Sequence, residues 1–318
     1  SSPQMSTQAK VACAGSDTPS AWTAMAVGQT TQVTMELTEE QANKRDMAER
    51  RLWRWNLAMG IMHLVWAVIC LIVGLGKSRA GEFRIPELTS YPDWSGGGRR
   101  GPVAAQQLRG LIPFVALTSG FAWMSATAHF CVLVFFKQYV KDLRQGLNQI
   151  RWLEYAGSSS LMIVLISMLF GIWDSHLLFQ IGACNACMNF FGYAFEVQNK
   201  PGNKIDWSNF IFGCFAGACP WASVLSYVFS YVFSTNGDGV PGFVWGILAA
   251  YLIMFNTFPI NMWLQYAQIG AWYRDEAGGF PGAGYYFGEK VYQVLSLVAK
   301  TLLLWLVVGG CGQPSAYT

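Results

Sequence analysis

Charge is scarce in this 318-residue chain: Lys and Arg number 21, Asp and Glu 18, together 12% of the sequence. A soluble globular protein carries about twice that share, so a polar surface on every side is excluded. Walker, GxSxG, HExxH and GxGxxG patterns are missing from any credible context, which leaves enzymatic chemistry without a motif; the chain reads as a non-enzyme. Basic and aromatic residues nowhere alternate in a soluble element, so nucleic acid is excluded as a partner. Residues 1–48 lack an apolar core and are neither a cleavable signal nor a domain.

What is abundant is apolar. Hydrophobic residues make up 53% of the chain and the mean hydropathy is +0.29. Windows near membrane-spanning length occur at Trp53–Leu75, Leu111–Phe136, Trp152–Trp173, Leu177–Val197, Trp207–Phe233, Phe243–Tyr266 and Val291–Val308. The fold class is therefore an all-α membrane protein with seven spans, the fourth and fifth diluted by Asn, Gly and Cys. The one long connection, Gly76–Gly110, holds Pro86, Pro92 and the Gly96-Gly97-Gly98 run, and its Glu82–Thr89 section predicts a strand in a β-hairpin. Residues 1–48 read as a disordered tail running into a short helix from about Glu36 to Arg54. Residues 49–311 form the membrane domain and 312–318 a short second tail. Gly237-Asp238-Gly239 reads as a turn.

Orientation follows from Lys and Arg counted by side. Fourteen fall on the side of the N-terminus and six on the other, all six in the first connection, with Lys300 inside a span. That bias puts the N-terminus in the cytoplasm and the C-terminus outside, and the basic excess reads as topology and lipid contact.

Lys300 stands alone at the centre of the last apolar stretch, about 13 Å of helix rise from either end. A cation there costs roughly 2.5–3.5 kcal/mol on insertion scales, and snorkelling to water is out of easy reach. A lysine kept at that cost is often one whose amine does chemistry, such as forming a Schiff base with an aldehyde. Polar residues also fall in helical stripes. Glu289, Gln293, Ser296 and Lys300 share a face of the last span; Thr118, Ser125 and His129 share one on the second. Asn56 and His63 lie two turns apart on the first, Asn185, Asn189 and Glu196 repeat the pattern on the fourth, and Arg151, Glu154 and Ser158 share a face on the third. Stripes on several helices predict polar faces that converge inside a bundle.

Plainer readings stand beside these. Thr118, Asn185 and Asn189 could simply hydrogen-bond neighbouring helices. Glu196 and Glu289 could be solvated at the interface, Arg151 and Glu154 could be an i, i+3 ion pair, and His63 and His129 could be satisfied core histidines. His176 reads as an outer-loop residue. Six of the eight cysteines fall in spans, and the Cys184-x-x-Cys187 spacing reads as packing, so no metal site is expected. A buried cation at Lys300 needs an anion. Asp174 and Asp206 are terminal to their spans, and Glu289 is about 16 Å of rise from Lys300. Glu154 remains, provided the third helix begins near Lys141 or Arg144 and so carries it deeper.

These residues resemble those of the heliorhodopsins, retinal-binding seven-helix proteins of inverted, N-inside topology. The resemblance rests on Ser296-Leu297-Val298-Ala299-Lys300-Thr301 and on Arg151-Trp152-Leu153-Glu154-Tyr155 followed by Ser158, Ser159 and Met162, and it spans roughly residues 45–310. It implies all-trans retinal as a protonated Schiff base on Lys300, with Glu154 as counterion. His63 and His129 match the family's buried histidines, Ser125 a neighbouring serine, Ser296 the serine before the retinal lysine, and Glu196 and Glu289 acidic positions. The resemblance further implies a homodimer formed through the hairpin, and a sensory role through an unknown signalling partner. Pocket candidates by depth are Ser159, Met162, Asn185, Met188, Trp221, Phe258, Pro259 and Trp263, and Pro259 is expected to kink the sixth span. Arg151, Glu196 and Glu289 could form a proton path.

The expected function is a light sensor with a slow photocycle. A pump is disfavoured because the position one turn beyond Glu154 is Ser158. The alternatives are a light-gated proton or cation channel, or a retinal-free receptor or transporter in which Lys300 binds a substrate anion.

Overall fold

The computed structural model describes residues 37–79, 84–95, 101–235, 242–273 and 279–310. Among these residues the order is α1 (Glu39–Arg79), β1 (Arg84–Asp93), β2 (Val103–Pro113), α2 (Phe114–Val134), α3 (Phe136–Arg144), α4 (Gln149–Leu169), α5 (Ser175–Gln198), α6 (Ser208–Thr235), α7 (Gly242–Ala267) and α8 (Ala283–Gly310). Seven of the helices run 21 residues or more, one for each expected span, but the second and third expected spans are too long: Leu111–Pro113 belong to β2, and α4 ends at Leu169, short of Trp173. Six are long and apolar enough to cross a membrane; the exception is α5, where Asn185, Asn189 and Glu196 lower the hydropathy. It is nonetheless packed into the bundle with Leu178, Ile181 and Phe195 buried.

The helix expected before the first span and the span itself are one unbroken helix from Glu39, so residues 39–48 are helical and not tail. Residues 1–36 and 311–318, the Gly96–Gly98 run and the Gly237–Gly239 turn lie outside the described residues.

The hairpin is antiparallel, pairing Arg84 with Pro113 through to Asp93 with Val103, with a register shift between Glu87 and Leu88. It is tied to the start of α5. Leu88 N donates to Trp173 O at 2.8 Å, Ser90 N to Asp174 Oδ2 at 2.7 Å, and Ser175 Oγ to Leu88 O at 2.9 Å. Asp174 also caps α5, accepting from the backbone N–H of His176 and Leu177, so one carboxylate fixes the hairpin and starts the helix. His176 is exposed there, though as the second residue of α5 and not in a loop.

One expectation about α4 is overturned. The helix does not begin near Lys141 or Arg144: those residues belong to the separate helix α3, and α4 starts at Gln149 with Asn148 as its N-cap. The chain reverses between them through Gly146, whose φ of +72° is open to glycine at little cost. Glu154 therefore lies in the second turn of α4. Its depth comes from the surrounding elements. α8 begins at Ala283, 17 residues and about 25 Å of rise before Lys300, and α1 and α3 extend on the same side. Arg144 of α3 forks onto Glu49 of α1 with two hydrogen bonds of 2.9 Å, and Tyr286 of α8 donates to the same carboxylate at 3.0 Å. The start of α4 is thus walled by protein.

Candidate functional site

Lys300 is 3% exposed and its amine has two hydrogen-bond partners, Glu154 Oε1 at 2.7 Å and Ser296 Oγ at 2.8 Å. Ser125 Oγ donates to the same Glu154 oxygen at 2.6 Å. Three helices thus meet at one charge pair: α8 supplies the amine and Ser296, α4 the carboxylate, α2 the serine. The Tyr155 ring adds a face 5.4 Å from Nζ. His63 and His129, on α1 and α2, stack with centroids 5.6 Å apart, and Asn56 Oδ1 accepts a hydrogen bond of 2.9 Å from His129 Nδ1. His129 lines the same cavity as Glu154 and Ser296.

A second charged cluster lies toward the start of α4. Arg151 bridges Glu196 of α5 and Glu289 of α8, its guanidinium lying 4.2 Å from the Tyr292 ring centroid and 5.0 Å from that of Trp152. Both carboxylates are buried, at 1% and 2% exposure, so interfacial solvation is not their role. Glu196 also accepts from Asn148 N, Trp152 Nε1 and Tyr285 OH, and Glu289 from Asn148 Nδ2, Tyr139 OH and Gln293 Nε2. Nor do Arg151 and Glu154 pair with each other: Glu154 is taken by Lys300, and Arg151 by Glu196 and Glu289. A polar cavity of about 30 Å³ links the two clusters, lined among others by Asn56, Ser125, His129, Arg151, Glu154 and Glu289. It has room for about two waters.

Of the pocket candidates, Met162 is fully enclosed in the main apolar cluster, with Trp221 and Phe258 packed against it. Phe258 stands edge-on to Tyr155 at 5.4 Å. Met188 packs over Gly217 of α6, where a β-carbon would meet its sulfur. Pro259 lies inside α7, which runs on through it. Asn185 and Asn189 both donate to Ser159 Oγ, at 2.6 and 3.0 Å, and Thr118 Oγ1 meets Cys70 Sγ at 3.1 Å. For these polar residues the plainer reading, a helix-to-helix bond, is the one seen. Trp263 is misplaced by the sequence reading: it is 46% exposed on the outer face of α7. The inward face carries Tyr251, Met262 and Tyr266 instead; depth along a span does not give the direction a side chain faces.

Sequence reasoning missed Asn148, Tyr139, Tyr155, Tyr285, Tyr292 and Tyr251. Tyr285 and Tyr292 fall on the face of α8 that carries Glu289 and Ser296, and that spacing could have found them. Tyr251 donates to Ala299 O beside the lysine. Among the described residues no group of three His, Cys, Asp or Glu could hold a metal, and the Cys184-x-x-Cys187 pair adds none.

The site suits an aldehyde on an extended apolar body. Its amine is buried and paired, and its helical neighbours Ala299 and Leu303 join one apolar cluster with Met162, Tyr251, Trp221 and Phe258. The residues fit retinal.

Among solved structures the chain is similar to cyanorhodopsin from the cyanobacterium Tolypothrix sp., at 12% identity and a TM-score of 0.50, covering 81% of this chain and 94% of that one. It is also similar to a light-driven proton pump from Leptosphaeria maculans, at 17% identity and a TM-score of 0.46, covering 77% and 92%. The first likeness shows the fold alone. No curated protein matches the chain. The family model Heliorhodopsin matches residues 52–311. With that match across most of its length, this integral membrane protein of retinal-photoreceptor type belongs to the heliorhodopsin family.

Proposed function

We propose that this chain is a light sensor carrying all-trans retinal on Lys300 as a protonated Schiff base, with Glu154 as counterion and no transport by pumping. The single observation that carries the reading is the buried Lys300–Glu154 pair at 2.7 Å. When bound, retinal supplies a light-driven isomerisation beside that pair. The chain's residues do the rest. Glu154, oriented by Ser125, balances positive charge at Nζ in a site where an unpaired charge would cost several kcal/mol. Ser296 fixes the direction of the amine from one turn away. A proton leaving Nζ has Glu154 as its nearest acceptor, and the small cavity beyond leads to His129 and the Arg151 cluster.

Against pumping stands the asymmetry of the surroundings. Beyond Lys300 and Glu154, toward the C-terminal ends of α8 and α4, Leu303, Leu304, Val307, Ile163 and Ile166 pack in the apolar cluster. Polar groups lead from the amine toward one face of the bundle, whereas transport needs a path to both. That one-sided polar route is also what favours the second reading, a light-gated proton or cation channel, if the apolar half opens. The family match leaves the retinal-free receptor or transporter without support.

The N-terminus faces the cytoplasm in this reading, supported by the fourteen basic residues on its side against six. Two copies associate through the hairpin, where Tyr91, Trp94, Val103 and Leu108 are exposed. The chain is not an enzyme, and its output passes to a signalling partner.

The test is to supply purified protein with all-trans retinal. A visible band that is absent in Lys300→Ala supports the reading, and a colourless wild type rejects it. Voltage clamp under illumination then separates the readings: stationary photocurrents that reverse with the proton gradient favour the channel, and currents that persist without any gradient indicate a pump.

A further inference from the structure

We propose that a basic pocket between α1 and α8 binds the phosphate headgroup of an anionic lipid, drawn from the leaflet on the side where α1 begins. The pocket measures about 530 Å³ and is lined by Lys44, Arg51 and Lys290, with Met47, Tyr286 and Phe287 among its apolar walls. That volume falls in the range of small-ligand sites. It is separate from the lysine site and does not depend on retinal.

Charge argues for an anion. Arg51 and Lys290 line the same pocket, where like charges repel, and among the described residues neither has a carboxylate within ion-pair distance. Lys44 is paired with Glu40 at 2.7 Å, but both are exposed, so that pair is cheaply exchanged. The described lining holds three cations and no acid. An anion between them would convert repulsion into attraction at a half-sheltered site.

Depth argues for a lipid over a soluble anion. Arg51 stands two residues before Trp53, where the apolar run of the first span begins, and Lys290 stands immediately before Val291. Arg51 and Lys290 therefore stand at the level of lipid headgroups, with Lys44 two turns further out along α1. From Phe287 in the pocket wall an exposed stripe runs down α8 through Val294, Val298 and Trp305, at i, i+7, i+11 and i+18. A headgroup in the pocket would lay its acyl chain along that stripe. A free phosphate would use the cations and leave the stripe idle.

The test uses the full chain in neutral detergent, with phosphatidylglycerol and phosphatidylcholine of matched acyl chains followed by native mass spectrometry. The expected result is at least tenfold tighter retention of phosphatidylglycerol. The double variant Arg51→Gln with Lys290→Gln should abolish that preference, Lys290→Arg should keep it, and Lys204→Gln, a basic residue outside the pocket, should leave it unchanged. Equal retention of the two lipids, or an unaltered preference in the double variant, would overturn the proposal. So would displacement of phosphatidylglycerol by millimolar inorganic phosphate, which would assign the pocket to a soluble anion. Should the double variant fail to fold, a photoactivatable phosphatidylglycerol decides on the wild type. Crosslinks within 44–58 and 287–298 support the site, and crosslinks elsewhere alone reject it.

Discussion

Arg151 and Glu154 stand three residues apart on α4, carry opposite charges, and do not pair: Glu154 binds Lys300 of α8, while Arg151 bridges Glu196 of α5 and Glu289 of α8. Two charge centres a single turn apart are thereby kept distinct. One is arranged around an amine, the other around a guanidinium, with a cavity of about 30 Å³ between them. The separation lets each be perturbed alone.

Removing the counterion tests the first centre. Glu154→Gln keeps the size and the hydrogen bond to Ser125 but deletes the negative charge beside Nζ. In retinal-loaded protein the absorption band should move strongly to the red, because the balancing anion is lost. Visible spectroscopy checks this; an unshifted band would mean that another anion serves.

Arg151→Met tests the second centre. It would leave Glu196 and Glu289 buried without their cation, and breaking a buried pair in this way costs about 3–5 kcal/mol. The thermal midpoint should fall steeply. Converting both acids to Gln in the same background should recover much of the loss, since neutral amides no longer repel. A melt of the three proteins in one detergent decides it.

Close helix contact makes a third prediction. A β-carbon at Gly74 of α1 would lie 2.5 Å from backbone atoms of Ala116 of α2, whereas one at Gly246 of α7 would meet nothing within 4 Å. Gly74→Ala must force two backbones apart and should cost about 1–3 kcal/mol. Gly246→Ala should be neutral or stabilise by about 0.5–1 kcal/mol through helix propensity. Opposite shifts in melting temperature are expected.

The hairpin anchor responds to pH. Partial desolvation pushes the Asp174 carboxyl up, but hydrogen bonds from Ser90, Leu177 and His176 outweigh it and hold the group below its ordinary value. A lowered carboxyl contributes stability above the unfolded value, and that contribution is lost as pH falls through the folded one. Hairpin protection in hydrogen exchange should therefore weaken below about pH 3.9. Asp174→Ala should show the same weakening at neutral pH, with a capping loss of about 0.5–2 kcal/mol.

Lys300 was legible in the sequence because a membrane makes an isolated charge anomalous, and the stripe from Glu289 to Lys300 because helical spacing is local. Glu154 was legible by elimination and by the family resemblance, but the reason for its depth was not: α4 starts at Gln149, and the walls formed by α1, α3 and α8 bury its first turns. The further partners of Glu289 were not legible, because Asn148 and Tyr139 reach it from a loop and a short helix whose placement no periodicity encodes. Trp263 was misread since hydropathy reports how deep a residue lies and not which way it turns.

What the sequence by itself determined is the class of solvent and the seven long helices, because burial in lipid acts on each residue through its own hydropathy. Which acid meets Lys300, which pair Arg151 joins, and which cations gather between α1 and α8 were decided only when the helices packed. Those contacts join residues 45 to more than two hundred positions apart, and their geometry depends on the rotation of each helix about its axis, which neighbouring side chains set together.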